Sequence, residues 1–326
     1  MLGLIQDLCR YAFIWLVKIS ALQEKYRAES SEGLISNISD FCSYLSCVKG
    51  AKDDYENQDD FGLFISKDVC ALAVFDGHGR TGHNVSNFVQ TRFLDCLTSE
   101  TLTRNMGDMT SFLRDRFRAC NTECRNHDHS VGNKDKFDAY DSGTTATIAV
   151  VIHNILSVAS VGDSRCIMGV EKSKDSGKFE CVDLTKDHSC DRVDEQKRIK
   201  AAGGEVRQLP GDVPFRVFLA GKTYPGLAMT RAIGDASGED AGIIASPDII
   251  VKKIKRDDGK RRFIVLASDG VWEFLSTEEV IEIVSRFGPS TGKQAVDSVV
   301  ATALERWKKF CPSAIDDITC IISWLT

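Results

Sequence analysis

Four apolar segments of this chain each carry an aspartate at one end, and that placement constrains the fold more than any other feature. Asp76 ends Ala71–Phe75, Asp163 follows Ser157–Val161, Asp269 ends Phe263–Ser268, and Asp316 with Asp317 precedes Ile318–Trp324. A lone Asp-Gly after a strand is ordinarily a turn. Four such acids gathered at one edge of a packed sheet are different, because they repel strongly unless cations lie between them. An oxygen-only donor set with no His/Cys group at zinc spacing implies a hard cation, Mg²⁺ or Mn²⁺. Two such ions about 4 Å apart clamp a phosphoryl oxygen and activate water. The pattern points to phosphoester hydrolysis.

Competing motifs fail on the same residues. Gly77-His78-Gly79-Arg80-Thr81-Gly82 is literally GxGxxG between a strand and a helix, but no second strand carries a ribose-binding acid about 20 residues on. None of the 12 cysteines is followed by Arg six positions later, as a cysteine phosphatase requires, and no Asp-x-Asp occurs. The nucleophile is therefore expected to be water rather than a protein group.

Composition excludes further classes. With 41 Lys+Arg against 47 Asp+Glu and a formal charge of −6, a chain built to clamp a nucleic-acid backbone is disfavoured. At 326 residues it accommodates one large domain or a domain plus an appendage. The cysteines are scattered without a CxxC and read as buried thiols of a reduced compartment. Leu4, Leu8, Tyr11, Trp15, Ile19 and Leu22 share a helical face, which predicts an amphipathic N-terminal helix, docked on the domain or serving as a docking element. No signal peptide or membrane span is legible there, since Asp7, Arg10 and Lys18 interrupt the apolar run. The expected location is cytoplasmic, with a nuclear option from the basic residues 252–262.

Periodicity predicts a connector over 28–39, a strand over 41–48, and helices following Gly79 and over 109–120. Strands are expected at 145–152, 155–161 and, as their antiparallel neighbour, 165–170. A polar helix over 191–202 leaves Glu195, Lys197 and Arg198 on its wet face. Residues 207–226 read as an irregular flap, and 249–255 and 262–267 as strands around a hairpin turn at Asp257-Asp258-Gly259. Ser276 with Glu279 forms a capping box, a last helix runs to about Trp307, and a strand over 318–325 closes the chain. Mainly antiparallel sheets covered by helices are expected. Cys120, Cys124 and His127, with His129 nearby, offer a structural zinc site as the alternative to buried thiols.

Several segments then occur in a telling order: Asp76-Gly77-His78-Gly79, Ser142-Gly143-Thr144-Thr145-Ala146, Ser160-Val161-Gly162-Asp163-Ser164-Arg165, Leu184-Thr185-Lys186-Asp187-His188, Thr230-Arg231-Ala232-Ile233-Gly234-Asp235, Ala267-Ser268-Asp269-Gly270-Val271-Trp272 and Asp316-Asp317-Ile318-Thr319. Together they resemble the metal-dependent serine/threonine phosphatases of the type 2C family, from about Phe41 to the end. The resemblance implies an α+β fold, a four-layer αββα sandwich of two antiparallel β-sheets flanked by helix pairs, over 41–326, with 1–40 as an extension. It implies phosphorylated protein substrates and two Mg²⁺ or Mn²⁺ ions. Asp76 is then the bridging carboxylate, with the Gly77 carbonyl on one ion and Asp269 and Asp316 on the other. Asp59 matches the acid near the metal waters, Asp163 with Asp269 the pair for a third, weaker ion, and His78 the general acid, the alternative being a histidine that orients water.

There are departures from the family pattern. Gln58 stands where many relatives carry Glu, and Asp317 replaces the usual Asn. The phosphate-binding Arg upstream of Asp59 is missing, leaving Lys52 as the nearest cation, a point charge in place of a bidentate fork. A pseudophosphatase scaffold and a hydrolase of small phosphoesters stand as alternatives at this point.

Overall fold

The computed structural model describes residues 41–51, 56–66, 68–127, 137–211 and 213–325, together with the backbone of 35–38. The strands are β1 (Ile35–Ile38), β2 (Phe41–Val48), β3 (Asp59–Ile65), β4 (Val69–His78), β5 (Gly143–Thr144), β6 (Ala146–Ile152), β7 (Ile155–Val161) and β8 (Arg165–Glu171). They continue with β9 (Phe179–Asp183), β10 (Gly204–Gln208), β11 (Phe215–Leu219), β12 (Pro225–Leu227), β13 (Ile233–Gly234), β14 (Asp248–Lys253), β15 (Arg262–Ala267) and β16 (Ile318–Leu325). The helices are α1 (Gly82–Leu94), α2 (Ser99–Arg104), α3 (Met109–His127), α4 (Val193–Ala201), α5 (Asp269–Trp272), α6 (Thr277–Ser285) and α7 (Gly292–Phe310). The reading of an N-terminal helix falls outside the described residues.

Two antiparallel sheets face each other. One runs β1-β2-β16-β15-β8-β9; the other runs β13-β5-β4-β6-β7-β14, with β3 added beside β4. Side-chain alternation explains why both hold together. In β4, Ala71, Ala73 and Phe75 enter a core shared with α1 and α3, while Cys70, Leu72 and Val74 enter the core between the sheets. In β15, Phe263 and Val265 pack under α6 and α7, while Ile264 and Leu266 point between the sheets. Strands covered on both faces read as continuous apolar runs, as these do. The outer helices contribute periodic stripes: Val85, Val89 and Phe93 from α1, and Leu113, Phe117 and Cys120 from α3. Phe93 links the layer, with ring centroids 5.9 Å from Phe75 and 5.0 Å from Phe117. Each such burial is worth about 1.5–3 kcal/mol. The expected four-layer αββα architecture is the one observed.

Several local expectations are corrected. The connector over 28–39 contains β1, paired antiparallel to β2. β8 does not neighbour β7; it pairs β15 and β9 in the other sheet. Gly162, at φ +92°, begins the short turn that carries the chain from one sheet to the other. The turn at 257–259 is likewise a crossover and not a hairpin, because β14 pairs β7 whereas β15 pairs β16 and β8. The segment 207–226 is not irregular: β10, β11 and β12 make a small sheet, with Val217 packed beside Ile199 of α4 and Arg207 4.0 Å over the Phe218 ring. Cys120 and Cys124 are buried in the α1/α3 core, and His127 lies against Phe88 and Phe137. Among the described residues Cys120 and Cys124 pack as core side chains and no three His, Cys, Asp or Glu groups gather there; His129 lies outside these.

Candidate active site

Antiparallel pairing collects the acids at one end of the sandwich. Asp59 and Asp76 are direct cross-strand partners on β3 and β4. Ala267, two residues before Asp269, pairs both Cys320, the third residue of β16, and Arg165 at the start of β8. That register brings Asp269 beside Asp316 and beside Asp163 in the crossover. Asp59 is buried, and the other four carboxylates are partly open to solvent.

These carboxylates perturb one another. Burial, followed by the charges of Asp269, Asp59, Asp316 and Asp163, holds the Asp76 carboxyl well above the usual carboxylate range. Asp269 is raised in the same way by burial and by Asp316, Asp163 and Asp59. Burial and Asp317 push Asp59 up to about 8, against hydrogen bonds from Thr319 and Ser268; burial and Asp187 push Asp163 to about 6. Ser268 Oγ donates to Asp59 Oδ2 at 2.7 Å, while Asp59 Oδ1 and Asp163 Oδ1 have no hydrogen-bond partner. Buried oxygens left without donors in a nest of like charge fit hard divalent cations. Among the described residues no three His, Cys, Asp or Glu groups close into a ready-made ligand cage, so the fit rests on the donor chemistry and the orphaned oxygens.

His78 ends β4 at the rim of this cluster. Its Nε2 lies 2.7 Å from Asp235 Oδ2, and its Nδ1 is buried without a partner. Burial alone would lower the pKa of the imidazole, but the charge and hydrogen bond of Asp235 outweigh it and leave it raised. Asp235 sits at φ +42° in a left-handed turn, which aims its carboxylate back across Gly143. A Cβ on Gly143 would stand 2.0 Å from Asp235 Oδ2, so the pairing requires glycine there. The sequence displayed Asp235 within a motif without revealing its task.

The Gly77 backbone N–H donates to the Gln58 carbonyl at 3.0 Å, and a Cβ on Gly77 would stand 2.4 Å from the Gly82 carbonyl oxygen. Lys52 lies outside the described residues. Nearby, Arg165 grips Asp187 through Nε at 3.1 Å and Nη2 at 2.7 Å and lies 5.1 Å over the Trp272 ring.

One expectation on the charged helix is overturned. Glu195 of α4 is 2% exposed. It accepts from Arg231 Nη2 at 2.6 Å, Arg198 Nη2 at 2.6 Å and Thr230 Oγ1 at 2.7 Å. Arg231 Nη1 also reaches Asp248 Oδ1 at 2.9 Å. Partners more than 30 residues away in sequence are invisible to a helical-wheel reading, which is why Glu195 reads as solvated.

The sequence model of the family described as Protein phosphatase 2C matches residues 54–308. Probable protein phosphatase 2C 72 of Arabidopsis thaliana is 35% identical over 277 residues, covering 82% of this chain and 81% of that one. Probable protein phosphatase 2C 61 of the same plant is 36% identical over 253 residues, covering 76% of this chain and 73% of that one. The fold is similar to the crystal structure of a serine-threonine phosphatase 2C from Toxoplasma gondii, with a TM-score of 0.74 at 19% identity over 91% of this chain and 99% of that one.

Proposed function

The chain belongs to the protein phosphatase 2C family, and from that premise we propose that it is a metal-dependent protein serine/threonine phosphatase that hydrolyses phosphoserine and phosphothreonine by direct attack of water. The observation that carries this reading is the nest of carboxylates at the strand ends, raised by burial and by one another. Asp59, Asp76, Asp269 and Asp316, with the Gly77 carbonyl, would hold two Mg²⁺ or Mn²⁺ ions, and Asp163 with Asp269 a third, weaker one. When bound, such ions neutralise the acids, polarise the phosphoryl oxygens and make water nucleophilic near neutral pH.

The protein's own groups supply the rest. The leaving Ser or Thr oxygen departs as a poor alkoxide and needs a proton. His78 holds one at the rim, and Asp235 fixes the ring by its 2.7 Å contact and favours the charged imidazolium. The small sheet β10-β11-β12 exposes Leu209, Val213, Phe215 and Tyr224 and packs against the turn after Asp235, where a Cβ on Gly238 would stand 3.3 Å from Pro225 Cγ. We assign peptide selection to that sheet. Purified protein is expected to dephosphorylate a phosphopeptide panel, to stop in chelator and to recover with Mn²⁺ or Mg²⁺. Full activity in chelator would sink the reading, and binding of phosphopeptides with no turnover in any metal would favour the pseudophosphatase alternative.

A further inference from the structure

Gln58 and Asp317 depart from the family pattern in opposite senses: an amide stands where an acid is usual, and an acid where an amide is usual. Taken separately, Gln58 reads as a lost contact to the metal and Asp317 as a surplus charge. The geometry joins them. Gln58 N donates to Asp317 Oδ2 at 2.8 Å, and Gly50 N donates to Asp317 Oδ1 at 2.7 Å. The Gln58 carbonyl accepts from Gly77 N at 3.0 Å, and Gln58 Nε2 donates to the Gly79 carbonyl at 2.8 Å. Asp317 N in turn donates to Asp316 Oδ1 at 2.9 Å. Gln58 therefore ties together the three segments that carry Asp59, Asp76 to His78, and Asp316.

We propose that Gln58 and Asp317 form one clamp, in which Gln58 positions the acid-bearing loops as a hydrogen-bond donor and Asp317 anchors it, accepting from Gln58 N through Oδ2 and from Gly50 N through Oδ1. Donor and acceptor chemistry dictates the residue types. The Gly79 carbonyl only accepts, so a glutamate at 58 would set an acceptor against an acceptor beside other acids. The N–H groups of Gly50 and Gln58 only donate, so an asparagine at 317 would satisfy one and present an NH₂ group to the other. The packing leaves no slack for an alternative: Gln58 and Asp317 are 9% and 8% exposed, and a Cβ on Gly82 would lie 2.7 Å from Gln58 Nε2. The clamp acts on the loops and not on the reacting atoms, so both are positioning residues. This inference rests on the metal-dependent reading above and reverses the simplest expectation from it, that restoring an acid at position 58 strengthens metal binding.

The test compares the full-length wild type with Gln58→Glu, Gln58→Met and Asp317→Asn. Mn²⁺ binding is followed by the loss of the free-ion paramagnetic resonance signal, and amide hydrogen exchange is measured on the metal-free proteins. Loss of a single buried hydrogen bond corresponds to about tenfold. Gln58→Glu and Gln58→Met are each expected to weaken Mn²⁺ binding by about that factor and to speed exchange at Gly77. Asp317→Asn is expected to speed exchange at Gly50 or Gln58. Exchange at Val74 in the middle of β4 should stay unchanged, which separates local loosening from global destabilisation. Tighter Mn²⁺ binding by Gln58→Glu, or wild-type exchange at Gly77 in both position-58 variants, would overturn the clamp. Failure of the wild type to bind Mn²⁺ would instead overturn the metal-dependent reading, while the exchange data still judge the clamp.

Discussion

Two groups of carboxylates in this fold meet opposite fates. Glu195 and Asp248 are surrounded by Arg198, Arg231, Arg192 and His188. Burial alone would raise Glu195, but hydrogen bonds from Arg231, Arg198 and Thr230 hold it well below the usual carboxylate range. Asp248 is lowered first by His188 and then, against burial, by Arg231 and Arg192. Asp76 and Asp269 are instead raised by burial and by one another's charges, with no Arg or Lys among their leading influences. Where a buried acid serves the fold, the chain brings its own cations; at the strand ends it brings further acids. The second arrangement is costly for folding alone and makes sense as a receptor for cations from solution.

The contrast can be broken from either side, and the largest effect belongs to the strand ends. Asp76→Asn is expected to abolish both Mn²⁺ binding and turnover while the thermal transition of the metal-free protein is kept or raised, since the cost of placing an ionisable acid among other acids is removed. A marked loss of metal-free stability would show that Asp76 serves the fold as Glu195 does. Glu195→Gln should do the reverse. Leaving Arg231 and Arg198 without their carboxylate is expected to cost about 3–5 kcal/mol in denaturant unfolding, with Mn²⁺ affinity of the folded fraction unchanged; a cost under about 1 kcal/mol would deny the node its structural role.

A smaller effect separates proton transfer from positioning. His78→Ala should slow phosphoserine hydrolysis by roughly 10²-fold and nitrophenyl phosphate far less, because nitrophenolate leaves readily without a proton. Similar losses on both substrates would make His78 a water-orienting residue. In Asp235→Asn the support that raises His78 against its burial disappears, so the basic limb of the pH–rate profile should move to lower pH.

The gentlest probe is pH itself. In the metal-free protein the unfolded chain loses its aspartate protons near pH 4, whereas the fold retains them until about 6 at Asp163 and about 8 at Asp59. The native state then binds more protons than the unfolded one, so stability falls as pH rises across that window. Glu195 and Asp248 have the opposite sign: their contribution is complete above the ordinary carboxylate range and fades as acid is added below it. Saturating Mn²⁺ should remove the fall at higher pH and leave the acid limb in place. A metal-free protein equally stable at pH 5 and pH 8 would contradict the raised acids.

What the sequence reveals follows from how local each signal is. Asp76, Asp269 and Asp316 stand out because the same local pattern, an acid ending an apolar run, recurs along the chain. The capping box is equally local, and its two bonds form: Glu279 N to Ser276 Oγ at 3.2 Å and Ser276 N to Glu279 Oε2 at 2.9 Å. β3 escapes notice because Asp59, Asp60 and Gly62 interrupt its apolar pattern, although its register is what sets Asp59 opposite Asp76. The sheet that β8 joins depends on three turn residues, and the pairing of His78 with Asp235 spans 157 positions. Such contacts exist only once the sheets have closed, so the acids are legible in advance and their partners are not.

The most direct test is a calorimetric titration of Mn²⁺ into the metal-free protein at pH 7, repeated in two buffers of different ionisation enthalpy. Acids raised by burial and mutual repulsion hold protons that an arriving cation must displace. Binding is therefore expected with a heat that differs between the buffers, corresponding to net proton release, and both signals should vanish in Asp76→Asn. Absence of Mn²⁺ binding by the wild type, or binding that releases no protons and survives Asp76→Asn unchanged, would contradict a strand-end site built for cations.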